Sequence, residues 1–260
     1  MPIPYHSRTR PEPRLATCAA LLKSRTADAQ HQTLCIDIGG TGIKLIVLDP
    51  AGNPINERAR ELTPKPATPE AVLEVIAGML QAQPRFQRIS VGFPGIVKHG
   101  VTLSAANVDD RWIGYNLQAS IEKLAGVPAR VLNDADLQGY GVIEGVGVEM
   151  VLTLGTGVGS ALFLDGHLMP NLELGHHPFQ KDKTYEERLS DAELKEHGKQ
   201  KWSKRAVEMI DVLSRIFNFD RLHIGGGNAE HIKQELPANV SFFDNVDGMT
   251  GGIRLWDNED

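Results

Sequence analysis

An aspartate followed by a glycine-rich turn is the first feature of this sequence that could do chemistry. The run DIGGTGIK spans residues 37–44. Its glycines let the backbone approach a phosphate and present amide N–H groups to it, while Thr41 and Lys44 add a hydroxyl donor and a positive charge. The carboxylate of Asp37 can orient Mg²⁺, usually through water. The candidate phosphate-binding residues are Asp37, Gly39, Gly40, Thr41, Gly42 and Lys44. A plain glycine hairpin without a ligand is the alternative.

A second glycine-rich run, LGTGVGS at residues 154–160, has the same strand-turn-strand character. It does not open a helix, so it does not fit the dinucleotide-binding fingerprint. Two matched hairpins are much less expected by chance than one. We predict that both turns face one cleft and grip one phosphate chain, with Gly155, Thr156 and Gly157 as ligands of the second turn.

The run NDAD at residues 133–136 lies where a strand enters a helix. A carboxylate at this point can accept the proton of an attacking hydroxyl, and in phosphoryl transfer that role is mostly one of positioning. Asp134 is therefore the candidate base. The alternative is that Asp134 only caps the helix. Both can hold, because a helix N-terminus also favours the ionised carboxylate.

The run ELGHH at residues 173–177 combines a carboxylate with imidazoles. Glu173 and His176 together offer the donors and acceptors that sugar hydroxyls need. A zinc site is the competing interpretation, but the surrounding sequence supplies no cysteine ligands. His177 is interpreted as a loop residue.

A basic stripe interrupts an otherwise acidic protein near residue 200. It consists of Lys195, Lys199, Lys201, Lys204 and Arg205, with Glu196 as its one acidic residue. The i,i+4 spacing places Lys195 with Lys199, and Lys201 with Arg205, on shared helical faces. Such a stripe could bind a long polyanion. A solvated helix face without a ligand is the alternative.

The elements that must position these residues follow from the pattern of apolar residues. In the first half, strands are predicted at 33–38, 43–48, 55–62 and 89–93, and a further strand is predicted to end at 131–132. Helices are predicted over about 70–81 and 117–124. Thr68 is the predicted N-cap of the first of these helices, with Pro69 at its first position.

The second half repeats the opening pattern. Strands are predicted at 150–154, 160–164 and 221–224, and helices at 185–197 and 202–217. The repeated glycine hairpin indicates an internally duplicated fold. We predict two domains, 31–133 and 134–260, with the last segment returning to the first domain, and a floppy extension over residues 1–30.

Composition excludes several classes of protein. The chain has 260 residues, 41% of them hydrophobic, and a net charge of -6, which argues against a general binder of nucleic acid or acidic membranes. Its two cysteines, Cys18 and Cys35, cannot form a disulfide framework. No apolar run reaches the roughly 20 residues that span a bilayer. Residues 1–30 carry five basic and two acidic residues, and a targeting peptide is the alternative to a simple extension. A cytoplasmic location is expected.

Taken together, these motifs resemble the sugar kinases of the repressor, open-reading-frame and kinase (ROK) family, over about residues 34–255. The likeness is greatest to the polyphosphate-using glucokinases of that family. The segments that carry it are 37–44, 92–95, 105–109, 112–114, 133–136, 152–164, 173–176, 201–202 and 225–227.

The resemblance implies an α/β, actin-like (ribonuclease H-like) duplicated fold with a cleft between two domains. It implies Asp134 as the base for the 6-hydroxyl of a hexose such as glucose. The residues that it assigns to the sugar are Gly95, Asn107, Asn133, Asp134, Glu173 and His176. The triple glycine Gly225, Gly226 and Gly227 matches the segment beside the adenosine in members that use nucleotides.

The implied activity is phosphoryl transfer from inorganic polyphosphate to glucose with Mg²⁺, giving glucose 6-phosphate, with ATP left open as a donor. Lys44 and the Lys201-Trp202 helix match the polyphosphate-using branch. The usual zinc-binding cysteines after the Glu-x-Gly-His run are replaced by His177-Pro178-Phe179, so zinc is not predicted. We expect a homodimer that binds neither nucleic acid nor membrane.

Two alternative functions stay open. One is a strictly ATP-dependent glucokinase or mannokinase, which would use the same base and sugar ligands. The other is a sugar-sensing regulator, which needs a helix-turn-helix ahead of the kinase motifs. Residues 1–30 are too short and too rich in proline to supply one.

Overall fold

The computed structural model describes residues 31–257, without the side chains of residues 245–247. The extension predicted for residues 1–30 lies outside the described residues. Within the described range, no helix is both long and apolar enough to cross a bilayer.

The strands of the described residues fall into two large sheets and two small ones. In chain order they are β1 (Thr33–Ile38), β2 (Gly42–Leu48), β3 (Ala59–Leu62), β4 (Arg88–Phe93), β5 (Val97–Lys98), β6 (Val101–Thr102), β7 (Tyr115–Asn116), β8 (Ala129–Asn133), β9 (Val148–Leu154), β10 (Val158–Leu164), β11 (His167–Met169), β12 (Pro178–Gln180), β13 (Lys183–Thr184), β14 (Arg221–Gly225) and β15 (Val240–Phe242).

The α-helices cover the sheets and connect them. Those of the described residues are α1 (Pro69–Leu80), α2 (Leu117–Ala125), α3 (Asp134–Val142), α4 (Glu186–Leu189), α5 (Asp191–His197), α6 (Lys199–Phe217) and α7 (Asn245–Arg254). Helix α1 begins as predicted: Pro69 is at its start, and Thr68 accepts the Ala71 N–H at 3.3 Å. This side chain satisfies one of the N–H groups that have no partner within the helix.

The two large sheets have the same topology, which confirms the predicted duplicated α/β fold. Their strand orders are β3-β2-β1-β4-β8 and β11-β10-β9-β14-β15. In each, an antiparallel hairpin is followed by two parallel strands, with β1 against β4 and β9 against β14. The glycine turns therefore sit at equivalent places, at the ends of β1 and β9.

The central strands are apolar because helices cover them on both faces. All six residues of β4 are buried. Helices α1 and α2 contribute Val72 and Ile121 to a core with Ile36 and Val91 of the first sheet. The second sheet packs on α6, whose Trp202 is fully buried and donates its indole N–H to the Leu189 carbonyl at 2.9 Å.

The C-terminal helix α7 packs against the first sheet and α3, although it follows the second sheet in the chain. Ser90 of β4 donates to the Gly252 carbonyl at 2.6 Å, and the Trp256 indole N–H donates to Ser90 at 2.9 Å. The guanidinium groups of Arg88 and Arg130 also lie over the Trp256 ring, at 5.2 and 4.8 Å from its centroid. The last segment thus contacts the half of the molecule where the chain began, and the division into domains near Asn133 stays a prediction.

Two predicted elements differ from the structure. The strand expected at 55–62 is regular only over Ala59–Leu62. The helix expected at 185–197 is two short helices, because the Ser190 backbone is extended between them, and α6 begins only after Gly198, whose φ is +80°. Lys195 and Lys199 therefore belong to different helices, and their predicted i,i+4 face is wrong.

Candidate functional site

Both glycine turns and the start of α3 open into one cleft between the two large sheets. The cleft volume is about 270 Å³, close to the lower end of the range for ligand pockets. Predicted site residues that line it are Asp37, Gly39, Gly40, Thr41, Gly42, Lys44, Gly95, Asn107, Asn133, Asp134, Gly155, Thr156, Gly157, Glu173, His176, Gly226 and Gly227. Residues that lie far apart in sequence thus meet in one place.

The first turn is a tight one. The Gly39 N–H donates to the Gly42 carbonyl at 3.0 Å, and Thr63 donates its hydroxyl to the Gly39 carbonyl. A Cβ on Gly40 would lie only 3.0 Å from the Cβ of Asn107. Glycine therefore lets the turn approach the loop of Asn107 more closely than a residue with a side chain would.

Lys44 and Asp37 form an ion pair at the base of the first turn. They are partners in the β1–β2 register, and Lys44 Nζ lies 2.7 Å from Asp37 Oδ2. The same register places Arg60 of β3 beside Lys44, and Arg60 also lines the cleft. Two cations thus flank the turn, and one of them is partly neutralised by Asp37.

The second turn is anchored by three neighbouring segments. The Gly155 N–H donates to the Gly157 carbonyl at 3.0 Å, and the Gly155 carbonyl accepts from the Asp191 N–H at 2.9 Å and from the Asn228 amide at 3.2 Å. Gly226 has φ +89°, and a Cβ there would overlap the backbone of Leu154.

Gly225 does not line the cleft within the described structure, which corrects its predicted place among the ligands. It ends β14, and an added Cβ would overlap the ring of Phe243. Its small size serves packing, whereas Gly226 and Gly227 reach the cleft.

Asn133, and not Asp134, is the N-cap of α3. Its side-chain oxygen accepts the N–H groups of Ala135 at 2.8 Å and Asp136 at 3.2 Å, and its amide donates to the Gly95 carbonyl at 3.2 Å. Asp134 is the first helical residue, and one of its oxygens accepts the Ala135 N–H at 2.8 Å. Its neighbour supplies the cap, and Asp134 itself lines the cleft.

The environment of Asp134 makes it a stronger base than an ordinary aspartate. Burial, helped by the negative charges of Asp37 and Glu173 and opposed by the hydrogen bond from Ala135, raises its pKa to about 7. A carboxylate whose pKa lies near the working pH is well suited to take a proton from a hydroxyl.

Glu173 and His176 lie one turn apart on a short 3₁₀ segment. His176 Nε2 is 3.5 Å from Glu173 Oε2, and both side chains line the cleft. Burial raises the pKa of Glu173, the charge of His176 lowers it and that of Glu186 raises it. His177 faces a separate apolar cavity with Tyr185.

Glu186 and Arg60 are cleft residues that the sequence patterns did not identify. Glu186 Oε2 accepts the Val158 N–H of the second turn at 3.1 Å, so this carboxylate braces the hairpin. Glu186 lies in a strongly charged segment, and nothing in that pattern distinguishes it from the neighbouring acidic residues. Arg60 could have been found, because extending the β1–β2 hairpin to a third strand places it opposite Lys44.

The basic stripe lies outside the cleft and is smaller than predicted. Arg205 is 4% exposed and pairs with Glu193 at 2.5 Å, so it does not face solvent with Lys201. Lys195 pairs with Asp191 at 2.5 Å. Lys199, Lys201 and Lys204 remain exposed on the first turns of α6.

Two places in the described structure offer carboxylates to a metal ion. Asp37 supplies a partly buried carboxylate beside the first turn, which suits a magnesium ion that keeps most of its waters. Glu193, Glu196 and His197 have ligand atoms within 4.8 Å of one another. That group suits a cation less well, because Glu193 already pairs with two cations, Arg205 and Lys183, whereas the ion pair of Asp37 is with Lys44 alone.

Comparison with known proteins gives a consistent set of relatives. The model of the ROK family matches residues 33–188. A polyphosphate glucokinase of Mycobacterium tuberculosis is 36% identical over 221 residues, covering 81% of this chain and 83% of that protein. The polyphosphate glucokinase of Mycobacterium leprae is 38% identical over 222 residues, covering 80% and 67%.

Two solved structures are similar to the whole described fold. An inorganic polyphosphate/ATP-glucomannokinase from Arthrobacter sp. strain KM is 34% identical, with a TM-score of 0.79, covering 87% of this chain and 98% of that one. A ROK family glucokinase from Streptomyces griseus in complex with glucose and AMPPNP is 19% identical, with a TM-score of 0.74, covering 86% and 98%. At that identity the second likeness concerns the fold alone.

Proposed function

The chain belongs to the ROK family, and on that premise we propose that it transfers a phosphoryl group from inorganic polyphosphate to the 6-hydroxyl of glucose, giving glucose 6-phosphate. The observation that carries the proposal is the shared cleft of the two glycine turns and Asp134. One cleft then holds a phosphate chain, a base and the polar side chains suited to a sugar.

The sugar would lie at the end of the cleft beside α3. Asn107, Glu173 and His176 are the side chains that would bind its hydroxyls, and Asn133 holds the Gly95 carbonyl near them. Asp134 would accept the proton of the 6-hydroxyl as that oxygen attacks the terminal phosphorus, and the bond from phosphorus to the next bridging oxygen would break.

The donor would be held by backbone amides of both turns. Thr41, Thr156 and the cations Lys44 and Arg60 surround the same space, and their donors stabilise charge that develops on the moving phosphoryl group. Asp37 would hold Mg²⁺ through water, and the ion would neutralise donor oxygens. The ion pair between Asp37 and Lys44 keeps both groups oriented toward that space.

Polyphosphate as donor is supported by the relatives and by charge. The two mycobacterial relatives carry the name polyphosphate glucokinase. Helix α5 begins at Asp191, whose N–H donates to Gly155, and α6 follows it with exposed Lys199, Lys201 and Lys204. A chain leaving the second turn along these helices would meet those lysines.

ATP is the second candidate donor. Gly226 and Gly227 line the cleft, in the segment that the family resemblance assigns to the adenosine, and the Arthrobacter relative is described as a polyphosphate/ATP enzyme. Mannose as acceptor, a homodimer and a cytoplasmic location remain predictions.

The test is an assay of glucose 6-phosphate formed with either polyphosphate or ATP as the sole donor. The Asp134→Asn variant, purified in parallel, controls for contaminating kinases. Turnover with polyphosphate above that control supports the proposal, and turnover with ATP alone would favour the second candidate. No product with either donor would overturn the assignment of a kinase activity.

A further inference from the structure

Asp136 is a buried carboxylate that the reaction described above does not use. It is 1% exposed, two residues after Asp134 in the first turn of α3. Its Oδ2 accepts the Asn171 N–H at 2.9 Å, whereas Oδ1 has no hydrogen-bond partner in the described structure. Burying a carboxylate with one direct partner is costly, and an apolar side chain would fill this space at a lower cost in free energy.

Asn171, the partner of Asp136, bridges the two halves of the molecule. Its Oδ1 accepts the Val97 N–H at 2.9 Å, and its Nδ2 donates to the Val97 carbonyl at 3.1 Å. The side-chain amide thus forms the same pair of bonds that a neighbouring strand would form. Asn171 also has φ +60°, in the left-handed region, where asparagine is tolerated better than most residues.

The bridge lies beside the residues proposed to bind sugar. Val97 follows the Pro94-Gly95 segment, and Asn171 precedes Glu173 by two residues. Ser160 steadies the intervening backbone, since its hydroxyl donates to the Leu172 carbonyl and accepts the Leu174 N–H. A shift of Asn171 would therefore be transmitted to Glu173.

The first turn of α3 holds the Gly95 segment at two points. One is direct, from the Asn133 amide to the Gly95 carbonyl. The other is indirect, from Asp136 through Asn171 to Val97. The helix that carries the proposed base thus also connects the two sides of the sugar end of the cleft.

We propose that Asp136 is a positioning residue of the sugar site, which holds the Asn171 bridge to Val97 and thereby sets the distance between the Gly95 segment and Glu173. The inference rests on the proposed function. It does not require Asp136 to touch the sugar or the donor.

The test compares three variants. Asp136→Leu removes the acceptor, and Asn171→Gly keeps the left-handed backbone and its N–H while removing only the bridge. Asp136→Asn keeps an acceptor oxygen and is the conservative rescue. Burial raises the pKa of Asp136 to about 7, so asparagine also mimics the protonated form.

The expected result is a selective loss of sugar binding. Asp136→Leu and Asn171→Gly should raise the KM for glucose about tenfold, while the KM for polyphosphate stays within about twofold. Asp136→Asn should restore the glucose KM to within about threefold of the wild type. The glucose KM of the double variant Asp136→Leu/Asn171→Gly should not exceed that of the single variant with the higher KM, because both changes break the same chain of hydrogen bonds.

Other outcomes separate this inference from the proposed function. An active wild type whose Asn171→Gly variant keeps its glucose KM, or loses sugar and donor affinity equally, would overturn the inference and leave the kinase assignment intact. A wild type that neither phosphorylates nor binds glucose would overturn both. If Asp136→Leu fails to fold, Asn171→Gly still gives the decisive comparison of the two KM values.

Discussion

Asp134 has two features that a catalytic base needs and that an ordinary helix-capping aspartate lacks. Asn133 takes over the capping of α3, and burial beside Asp37 raises the pKa of Asp134 to about 7. The same chemistry explains why the run at residues 133–136 contains both an amide and a carboxylate. Asn133 caps the helix, which leaves Asp134 available for the proposed role of base.

Replacing Asp134 by asparagine should therefore separate catalysis from binding. We expect kcat to fall by about 10²- to 10⁴-fold, because no group then accepts the hydroxyl proton. Glucose binding measured by calorimetry should change little, since the amide oxygen can still accept the Ala135 N–H. The melting temperature at pH 8 should not fall, because the variant removes a partly buried charge. Full activity in this variant would mean that another residue is the base.

The raised pKa also predicts the pH dependence of the reaction. As the proposed base, Asp134 would act only when ionised, so with glucose limiting, kcat/KM should fall about tenfold for each pH unit well below 7 and should level off above it. Because donors titrate as well, the profile should be recorded with polyphosphate and with ATP. An acidic limb common to both belongs to the enzyme, and a flat profile from pH 5 to 8 would contradict the assignment.

The basic stripe shows what a helical pattern can and cannot predict. Residues four apart share a face, which holds for Lys201 and Arg205 on α6. Yet the guanidinium of Arg205 turns inward to Glu193 of α5, while Lys201 stays in solvent. The periodicity of one helix carries no information about the charge that a neighbouring helix presents.

The exposed part of the stripe can be tested by removing its charge. The triple variant Lys199→Gln, Lys201→Gln and Lys204→Gln should raise the KM for long polyphosphate about tenfold at low salt and change that for ATP little. The matched control replaces three exposed lysines of the first half, Lys65, Lys98 and Lys123, by glutamine. It loses the same charge elsewhere. Equal effects of the two triple variants on the KM for polyphosphate would show that only the overall charge of the protein matters, and not a binding site on the basic stripe.

The contact between α3 and α7 gives a second prediction about elements. A Cβ on Gly251 of α7 would overlap the Leu137 carbonyl and lie 2.6 Å from the Gly141 nitrogen. Gly251→Ala should therefore lower the free energy of unfolding in urea by about 1–3 kcal/mol, despite the better helix propensity of alanine. Gly78 of α1 has no atom within 4 Å of such a Cβ, so Gly78→Ala should stabilise by up to about 1 kcal/mol. Destabilisation of the same size at both sites would contradict a role for close packing.

Across the whole molecule, the sequence predicts those features of the fold that depend on residues close together in the chain. Glycine turns between apolar strands indicated both hairpins, and Thr68-Pro69 indicated the start of α1, because each needs only neighbouring residues. The contact of Glu186 with the second turn and the bridge from Asn171 to Val97 join segments that are distant in sequence, so local patterns do not predict them. The helices predicted at 185–197 and 202–217 leave Gly198 between them, whereas the break at Ser190 is not predicted, because no glycine or proline marks it.

Because the cleft lies between the two duplicated halves, bound sugar should affect the stability of both. The proposed sugar residues come from both halves, with Asn107 from the first and Glu173 and His176 from the second, so bound sugar should stabilise both halves together. At about a hundredfold excess over its dissociation constant, glucose should add about 2.7 kcal/mol to the free energy of unfolding. Scanning calorimetry should then show one sharper transition at higher temperature for the wild type and for Asp134→Asn. A ligand that shifts only part of a two-step transition would mean that one half alone binds the sugar, because the other half would then unfold at its unliganded temperature.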